Sequence, residues 1–251
     1  MSRPLTTYGR RARLGLIVPP TNSVNEAEWQ LLLREMDDVS LHVTRMALHL
    51  DTTSAEGRAA LDADIAKAVD DLAAACVDAI AYGCTAGSMV APLDGVAAAM
   101  TMRCGLPCVA TASALVHAAR SLGCRRVAVA TPYHDALNAH ECEFLQANGL
   151  EVLGIRGLGI GAGGVHEYVR IARLPPEQVL AHVRASWQPG ADGLIVSCTD
   201  LPTLHAVPVL EAELGVPVIT SNLATFWQLL DVLGLGELAP GHGRLLRSRP
   251  R

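Results

Sequence analysis

The fold of this chain is decided by two matching stretches, AIAYGCT at residues 79–85 and LIVSCTD at residues 194–200. In each, an apolar run typical of a buried strand leads to a small residue, a cysteine (Cys84 or Cys198) and a threonine. The carboxyl ends of strands in open α/β sheets face the crevice in which ligands bind. Both thiols are therefore predicted to lie in such a crevice. They would flank one small molecule if the two halves of the chain face each other.

Strand and helix patterns alternate along the chain around these stretches, which is typical of parallel βα units. The scheme occurs twice, because Arg13 and Cys84 are 71 positions apart and Arg125 and Cys198 are 73 apart. A Gly-x-Pro sequence at 105–107 is likewise matched at 215–217. The sequence thus predicts an α/β fold of two similar halves related by a pseudo-two-fold axis.

The composition argues against several classes of protein. With a net charge of −5 and no basic block, the chain lacks the positive surface that nucleic-acid binding requires. No apolar stretch resembles a secretory signal, and none reaches the ~18 residues of a membrane helix. We therefore expect a soluble cytoplasmic protein, in which the seven cysteines are free thiols rather than disulfides.

The sequence predicts neither a cofactor nor a metal. Lys67 is the only lysine, and its place in a predicted solvated helix makes it a poor Schiff-base residue for pyridoxal phosphate. The Cys104-x3-Cys108 spacing lacks the second pair or the histidines of a zinc site. Residues 159–164 match GxGxxG, but no acidic residue ends a following strand, as nucleotide binding would require. We interpret this segment as a flexible loop that covers the cleft.

Residues beside the two cysteines are candidates for holding an anionic substrate. A helix is predicted to begin after each cysteine, where it would lower the thiol pKa and offer free N–H groups to a carboxylate. The hydroxyls of Thr85 and Thr199 and the backbone amide of Ala86 would complete the anion site.

Three further polar residues lie near the predicted strand ends. Asn22 could bind a carboxylate through its amide or cap the helix that follows. Tyr133, at the equivalent corner of the second half, could donate its phenol to an anion or lie as an amphipathic residue at the lobe surface. Asp200 could orient a group or cap a helix, and the cap is favoured.

The chain resembles the aspartate/glutamate racemase superfamily, and within it the branch of maleate cis-trans isomerases and arylmalonate decarboxylases. The resemblance covers nearly the whole chain. It rests on five motifs: GLIVPPTN at 15–22, YGCT at 82–85, ATPY at 130–133, SCT at 197–199 and PGHGRL at 240–245.

The resemblance implies two pseudo-symmetric Rossmann-like lobes with parallel sheets and an active-site cleft between them. Residues 1–115 plus 218–251 would form the first lobe and residues 116–217 the second. It also implies a small homo-oligomer, no cofactor or metal, and catalysis by Cys84 and Cys198, with Asn22 and Tyr133 contacting the substrate carboxylates.

Two details bear on the choice of reaction within this branch. Its decarboxylases resemble single-thiol enzymes with glycine at the position of Cys84, so the cysteine here disfavours decarboxylation. Its isomerases carry a further asparagine in the loop that corresponds to residues 161–164, where this chain has none. Either another group replaces that contact, or the substrate differs.

The leading hypothesis is a cofactor-independent isomerase that converts maleate, a small dicarboxylate, to fumarate. Cys84 would add to the double bond, the resulting single bond would rotate, and elimination would follow, with Cys198 moving the proton. The main alternative is a two-thiol racemase of amino acids or hydantoins. An arylmalonate-type decarboxylase and a small-carboxylate binding or accessory protein remain further alternatives.

Overall fold

A computed structural model describes residues 7–49, 51, 54–235 and 242–247; Pro240 and Gly241 of the C-terminal motif lie outside these ranges. Two four-stranded parallel sheets form the framework, with the orders β2-β1-β3-β4 and β6-β5-β7-β8. The strands are β1 Ala12–Val18, β2 Val39–Arg45, β3 Ala79–Tyr82, β4 Cys108–Ala110, β5 Arg126–Ala130, β6 Glu151–Arg156, β7 Gly193–Val196 and β8 Val218–Thr220. The predicted duplicated α/β fold is confirmed, because the second sheet repeats the strand order of the first.

The strands differ in how far neighbouring elements cover them. The strands β3 and β7, which lie inside their sheets, are buried along their whole length, whereas the edge strands β2 and β6 are half-buried. Strands covered on both faces read as continuous apolar runs, which is the pattern at 79–82 and 193–196. The two cysteine-bearing stretches therefore follow central strands of their sheets.

Helices surround the sheets and connect the parallel strands. They are α1 Val24–Leu33, α2 Ala55–Ala74, α3 Thr85–Ser88, α4 Gly95–Cys104, α5 Thr111–Ser121, α6 Asp135–Ala147, α7 Pro176–Ala185, α8 Ala206–Leu214, α9 Ser221–Val232 and α10 Arg244–Arg247, with a 3₁₀ helix at Val165–Arg173. Within the described ranges, none of these helices combines the length and apolarity needed to cross a bilayer.

Helices α5 and α9 join the two halves. They pack against each other, and the hydroxyls of Thr111 and Thr225 lie 3.0 Å apart at their contact. Helix α9 also contacts β3 and β4 of the first sheet, although β8 just before it pairs with β7 in the second. The lobe limits 1–115 plus 218–251 and 116–217 stay a prediction. Any return of the chain to the first lobe begins at Ser221 rather than at residue 218.

Each half supplies one buried carboxylate that accepts hydrogen bonds from backbone N–H groups of the other half, and both contacts involve α1 or its start. Glu28 accepts hydrogen bonds from the backbone N–H groups of Thr203 (2.5 Å) and Leu204 (2.7 Å) and from Nδ2 of Asn222 (2.7 Å). In return, Oδ1 of Asp200 accepts from the N–H groups of Ser23 (2.9 Å) and Val24 (3.4 Å) at the start of α1. Burial raises the pKa of Glu28 and outweighs its three donors, which lower it. These bonds fix the second half against the first.

We expect Glu28→Gln to lower the free energy of unfolding by about 2–3 kcal/mol, as for a buried polar contact left unsatisfied. Two backbone donors bind Oε1 of Glu28 and the Asn222 amide binds Oε2, so a glutamine, which has only one amide oxygen, would direct its own N–H groups toward one of these two sets of donors. Urea unfolding followed by circular dichroism measures the change. The matched control, Glu213→Gln, removes a carboxylate that pairs with Arg184 at the exposed surface and should leave the unfolding midpoint unchanged. Equal midpoints for the two variants would contradict the role given to Glu28.

Candidate active site

A cavity of about 390 Å³ lies at the carboxyl ends of the central strands and receives residues from both halves. Both thiols line it, so the two sulfurs share one cavity. All the residues predicted for the site line it as well: Asn22, Cys84, Thr85, Ala86, Tyr133, Cys198, Thr199 and Asp200.

Cys84 lies two residues after β3 and caps the short helix α3. Its sulfur accepts a hydrogen bond from the backbone N–H of Gly87 at 3.4 Å, and the hydroxyl of Tyr82 donates to it as well. A Cβ at position 87 would lie 2.3 Å from the Tyr82 hydroxyl oxygen, so glycine there leaves room for the tyrosine to reach the sulfur. Two donors therefore converge on the Cys84 sulfur.

The pKa of Cys84 is raised above its ordinary value rather than lowered. Burial is the largest cause, and the donors Gly87 and Tyr82 act in the opposite direction. The predicted lowering by a helix N-terminus acts through the Gly87 N–H in the first turn of α3, but burial outweighs it, so the net pKa is not lowered as expected. The two donors still favour the thiolate relative to a bare buried thiol.

Cys198 lies two residues after β7 in a turn, not at a helix start. Its φ of +99° is in the left-handed region, which a non-glycine residue adopts at a cost of about 1–3 kcal/mol. The backbone N–H of Cys198 donates to Oγ of Ser221 at 3.0 Å and holds this conformation. The next helix, α8, begins only at Ala206, so the predicted helix directly after Cys198 was wrong.

The Cys198 thiol holds its proton firmly. Burial raises its pKa to about 12, and the negative charge of Asp200 acts in the same direction. The Tyr133 hydroxyl and the N–H of Asp200 bond to the sulfur and partly oppose this rise in pKa. Each sulfur thus has two donors and a pKa raised by burial, and Cys198 differs from Cys84 in that the charge of Asp200 also raises its pKa.

The two threonines form bonds between the halves. The Thr199 hydroxyl donates to the carbonyl of Gly83 (2.9 Å) and accepts from Nδ2 of Asn22 (2.9 Å). The Thr85 hydroxyl lies 2.9 Å from Oγ of Ser221, which also accepts the Cys198 N–H. These hydroxyls therefore hold the backbone beside both sulfurs.

Asn22 caps α1, which is one of the two roles predicted for it. Its Oδ1 accepts from the N–H groups of Val24 (3.1 Å) and Asn25 (3.0 Å). Among the described contacts, Nδ2 uses one of its two protons, toward Thr199, and the side chain lines the cavity. Asn22 can therefore cap the helix and still offer one N–H to a ligand.

Asp200 caps α1 of the opposite half rather than a helix of its own. Its Oδ2 has no hydrogen-bond partner among the described residues, and burial raises its pKa to about 6. Tyr133 is buried at the Cys198 sulfur, so the alternative that placed it at the lobe surface was wrong. Burial raises the pKa of the Tyr133 phenol well above its usual value.

Sequence reasoning missed two tyrosines of the cavity. Tyr82 lies in the YGCT motif, but the contact of its hydroxyl with Cys84 depends on the turn that follows. Tyr168 reaches the cavity from the 3₁₀ helix that follows the glycine loop. The chain has only four tyrosines, and three of them line this cavity. The scarcity of tyrosine is therefore the one feature of the sequence that could have directed attention to Tyr82 and Tyr168.

Glu141 is a further residue that was missed. It lies next to Ser197 beneath the site, and neither of its oxygens has a hydrogen bond of good geometry to a described residue. Burial raises its pKa to about 7. Its signal in the sequence is the Asn-x-x-Glu spacing at 25–28, which recurs at 138–141.

Within the described ranges, no cluster of three or more His, Cys, Asp or Glu side chains could hold a metal ion. The sulfurs of Cys104 and Cys108 are 3.8 Å apart, but neither residue lines the cavity.

The residues that line the cavity can supply two thiols, several phenols and neutral N–H donors, which suits addition and proton transfer on a small anion.

The sequence matches known proteins over nearly its full length. A family model described as arylmalonate decarboxylase matches residues 14–246. A maleate isomerase from Nocardia farcinica is 32% identical over 247 residues, covering 94% of this chain and 96% of the relative. An arylmalonate decarboxylase from Bordetella bronchiseptica is 34% identical over 239 residues, covering 92% of this chain and 95% of the relative.

Solved structures of the same two kinds of enzyme share the fold. A maleate isomerase from Pseudomonas putida S16 with maleate has a TM-score of 0.83 at 27% identity, and a mutant of the Nocardia farcinica maleate cis-trans isomerase with a covalently bound succinylcysteine intermediate has 0.83 at 32%. Both comparisons cover 94% of this chain and 98% of the other. An arylmalonate decarboxylase has 0.78 at 30%, covering 94% and 100%. The chain therefore belongs to the arylmalonate decarboxylase family.

Proposed function

We propose that this protein is a cofactor-independent cis-trans isomerase that converts maleate to fumarate. The observation that carries the proposal is the meeting of two thiols from opposite halves in one cavity, with different surroundings for their protons. Relatives named maleate isomerase support it, and so does the succinylcysteine in the Nocardia farcinica structure.

Cys84 acts as the nucleophile. Its thiolate, stabilised by the Gly87 N–H and the Tyr82 hydroxyl, adds to one alkene carbon, and a C–S bond forms. The π electrons move to the neighbouring carbon and into its carboxylate, giving an enediolate. Neutral hydrogen-bond donors around this carboxylate stabilise the charge.

Cys198 acts as the acid and then as the base. Its thiol, whose pKa of about 12 keeps the proton in place, protonates the neighbouring carbon and leaves an S-succinyl Cys84. The former double bond is now single and rotates. The Cys198 thiolate, which accepts from the Tyr133 hydroxyl, takes a proton back from that carbon, and the C–S bond breaks to release the trans diacid and the Cys84 thiolate.

The remaining predicted residues divide into two groups. Asn22, with one free N–H, and the backbone N–H of Ala86 at the start of α3 bind the carboxylates. Thr85, Thr199 and Asp200 act by holding the two halves and the backbone of the thiols in position. No lysine or arginine is among the described residues that line the cavity, where His49, His134 and His140 are the basic side chains, so N–H and O–H donors supply most of the contacts to the dianion.

Decarboxylation is the second candidate, since the Bordetella bronchiseptica relative at 34% identity carries that name. The second thiol, Cys84, favours isomerisation, because loss of CO₂ followed by protonation needs only one acid. Release of CO₂ from an arylmalonate without conversion of maleate would identify the decarboxylase.

Exchange of an α-proton in an amino acid or a hydantoin would identify the racemase. Binding of a small carboxylate without any turnover would identify an accessory protein.

We expect the reduced protein to convert maleate to fumarate, followed by proton NMR. Cys84→Ala removes the nucleophile and should abolish conversion, and Cys198→Ala should lower kcat/KM by at least about a hundredfold, the contribution typical of a single acid or base. The matched control is Cys142→Ala, which changes a partly buried thiol of α6 that does not line the cavity, and its rate should equal that of the wild type. Absence of fumarate with the fresh wild-type protein would reject the proposal.

We expect Asp200→Asn to change how stability depends on pH. The folded-state pKa of Asp200, about 6, lies above its ordinary 3.8, so the folded protein binds a proton that the unfolded chain has lost. Wild-type stability should therefore fall as pH rises from about 4 to about 6, by up to about 3 kcal/mol. The asparagine Oδ1 can still accept from Ser23 and Val24, and it does not titrate.

Urea unfolding at several pH values between 4 and 7 measures this difference. The gap between variant and wild type should change across the interval, whereas the contribution of Glu141 is common to both proteins and cancels. Parallel pH profiles would contradict the pKa given to Asp200.

We further propose a cytoplasmic location and a homo-oligomer. The described cysteines are free thiols, as expected in a reducing compartment. The oligomer rests on the family resemblance, and sedimentation equilibrium tests it.

A further inference from the structure

We infer that Tyr168 is an additional substrate-binding residue, whose hydroxyl donates a hydrogen bond to a carboxylate of the bound diacid. This inference rests on the proposed function, because it names a group that binds that substrate. Four observations support it: the place of the ring, the bracing of its loop, the attachment of that loop to the Cys198 side of the site, and the engagement of neighbouring hydroxyls.

Tyr168 lines the cavity that contains Cys84 and Cys198. It is partly buried and belongs to the 3₁₀ helix Val165–Arg173. Burial raises the pKa of its phenol, and the sulfurs of Cys198 and Cys84 raise it further. The phenol therefore lies within the electrostatic reach of both sulfurs and keeps its proton as a donor.

The glycine loop holds the Tyr168 ring in place. A Cβ at Gly161, where φ is +98°, would lie 2.7 Å from Cε1 of Tyr168 and 2.9 Å from its hydroxyl oxygen, so the ring packs directly on the glycine. The carboxylate of Glu167 accepts from the N–H groups of Gly161 (2.8 Å) and Gly163 (3.2 Å). These two hydrogen bonds attach the loop to the helix that carries Tyr168.

The same loop is attached to the segment that carries Tyr133. The N–H of Gly159 donates to the carbonyl of Tyr133 (3.1 Å), and the N–H of Ile160 donates to the carbonyl of Pro132 (2.9 Å). Tyr133 in turn bonds to the Cys198 sulfur. Tyr168 therefore occupies a fixed place relative to the acid of the reaction.

Neighbouring hydroxyls are already engaged, whereas that of Tyr168 is available. Tyr82 and Tyr133 face the sulfurs of Cys84 and Cys198, whose pKa values they lower, and the Thr199 hydroxyl donates to the carbonyl of Gly83. The Tyr168 hydroxyl has no hydrogen-bond partner among the described residues. With no lysine or arginine among the described lining residues, this free donor is suited to an incoming anion.

Tyr168→Phe tests the inference, because it removes the hydroxyl and keeps the ring on Gly161. We expect kcat/KM for maleate to fall roughly tenfold to a hundredfold, the loss typical of one hydrogen bond to a charged group, with unchanged circular dichroism and melting temperature. The matched control, Tyr8→Phe, changes an exposed tyrosine that does not line the cavity and should leave the rate unchanged.

Binding of succinate, a saturated diacid that cannot isomerise, provides a second readout by calorimetry. We expect Tyr168→Phe to raise its Kd by a factor of similar size. Unchanged kcat/KM and succinate Kd in a folded Tyr168→Phe protein would overturn the inference. A lower melting temperature with unchanged binding would also overturn it and assign the hydroxyl to stability alone.

The two proposals fail in different ways. A wild-type protein that binds succinate without converting maleate rejects the isomerase, and the succinate comparison then still decides the role of Tyr168. Conversion of maleate at equal rates by the wild type and Tyr168→Phe retains the isomerase and rejects the role of Tyr168.

Discussion

This site depends on two buried carboxylates, one from each half, that accept hydrogen bonds from the backbone of the other half. Glu28, on α1, binds backbone N–H groups of the second half, and Asp200, from the second half, binds those at the start of α1. A buried carboxylate is costly unless donors compensate it, so these contacts favour one relative placement of the halves. That placement brings Cys84 and Cys198 to a common cavity.

The two halves have the same fold but place different neighbours around their equivalent residues. Glu28 and Glu141 hold equivalent positions in the Asn-x-x-Glu repeats, yet Glu28 has three donors and Glu141 has no well-formed bond to a described residue. One reason is that Asn222, a donor to Glu28, corresponds in the first repeat to Ala112, which has no side-chain amide. The sulfurs differ in the same way, because Asp200 raises the pKa of Cys198. In the proposed mechanism, the acid and the nucleophile are thus distinguished by their neighbours.

The sheets and the placement of both thiols could be predicted, because apolar runs at 79–82 and 193–196 are local signals and their repetition fixed the duplication. Properties that depend on distant residues could not. The rise in the pKa of Cys84 comes from burial in the assembled fold, and the turn at Cys198 depends on a bond to Ser221, 23 positions away. Tyr168 was missed because the glycine loop that supports its ring carries no periodic pattern.

The bond from the Thr199 hydroxyl to the carbonyl of Gly83 has a consequence for how this scaffold can diverge. Each of these residues adjoins one of the two sulfur-bearing positions, so the bond couples the backbone beside one sulfur to the backbone beside the other. A substitution that breaks this bond removes a contact from both halves at once. Side chains that enter the cavity from its covering segments, such as the helix Val165–Arg173, can vary without breaking it.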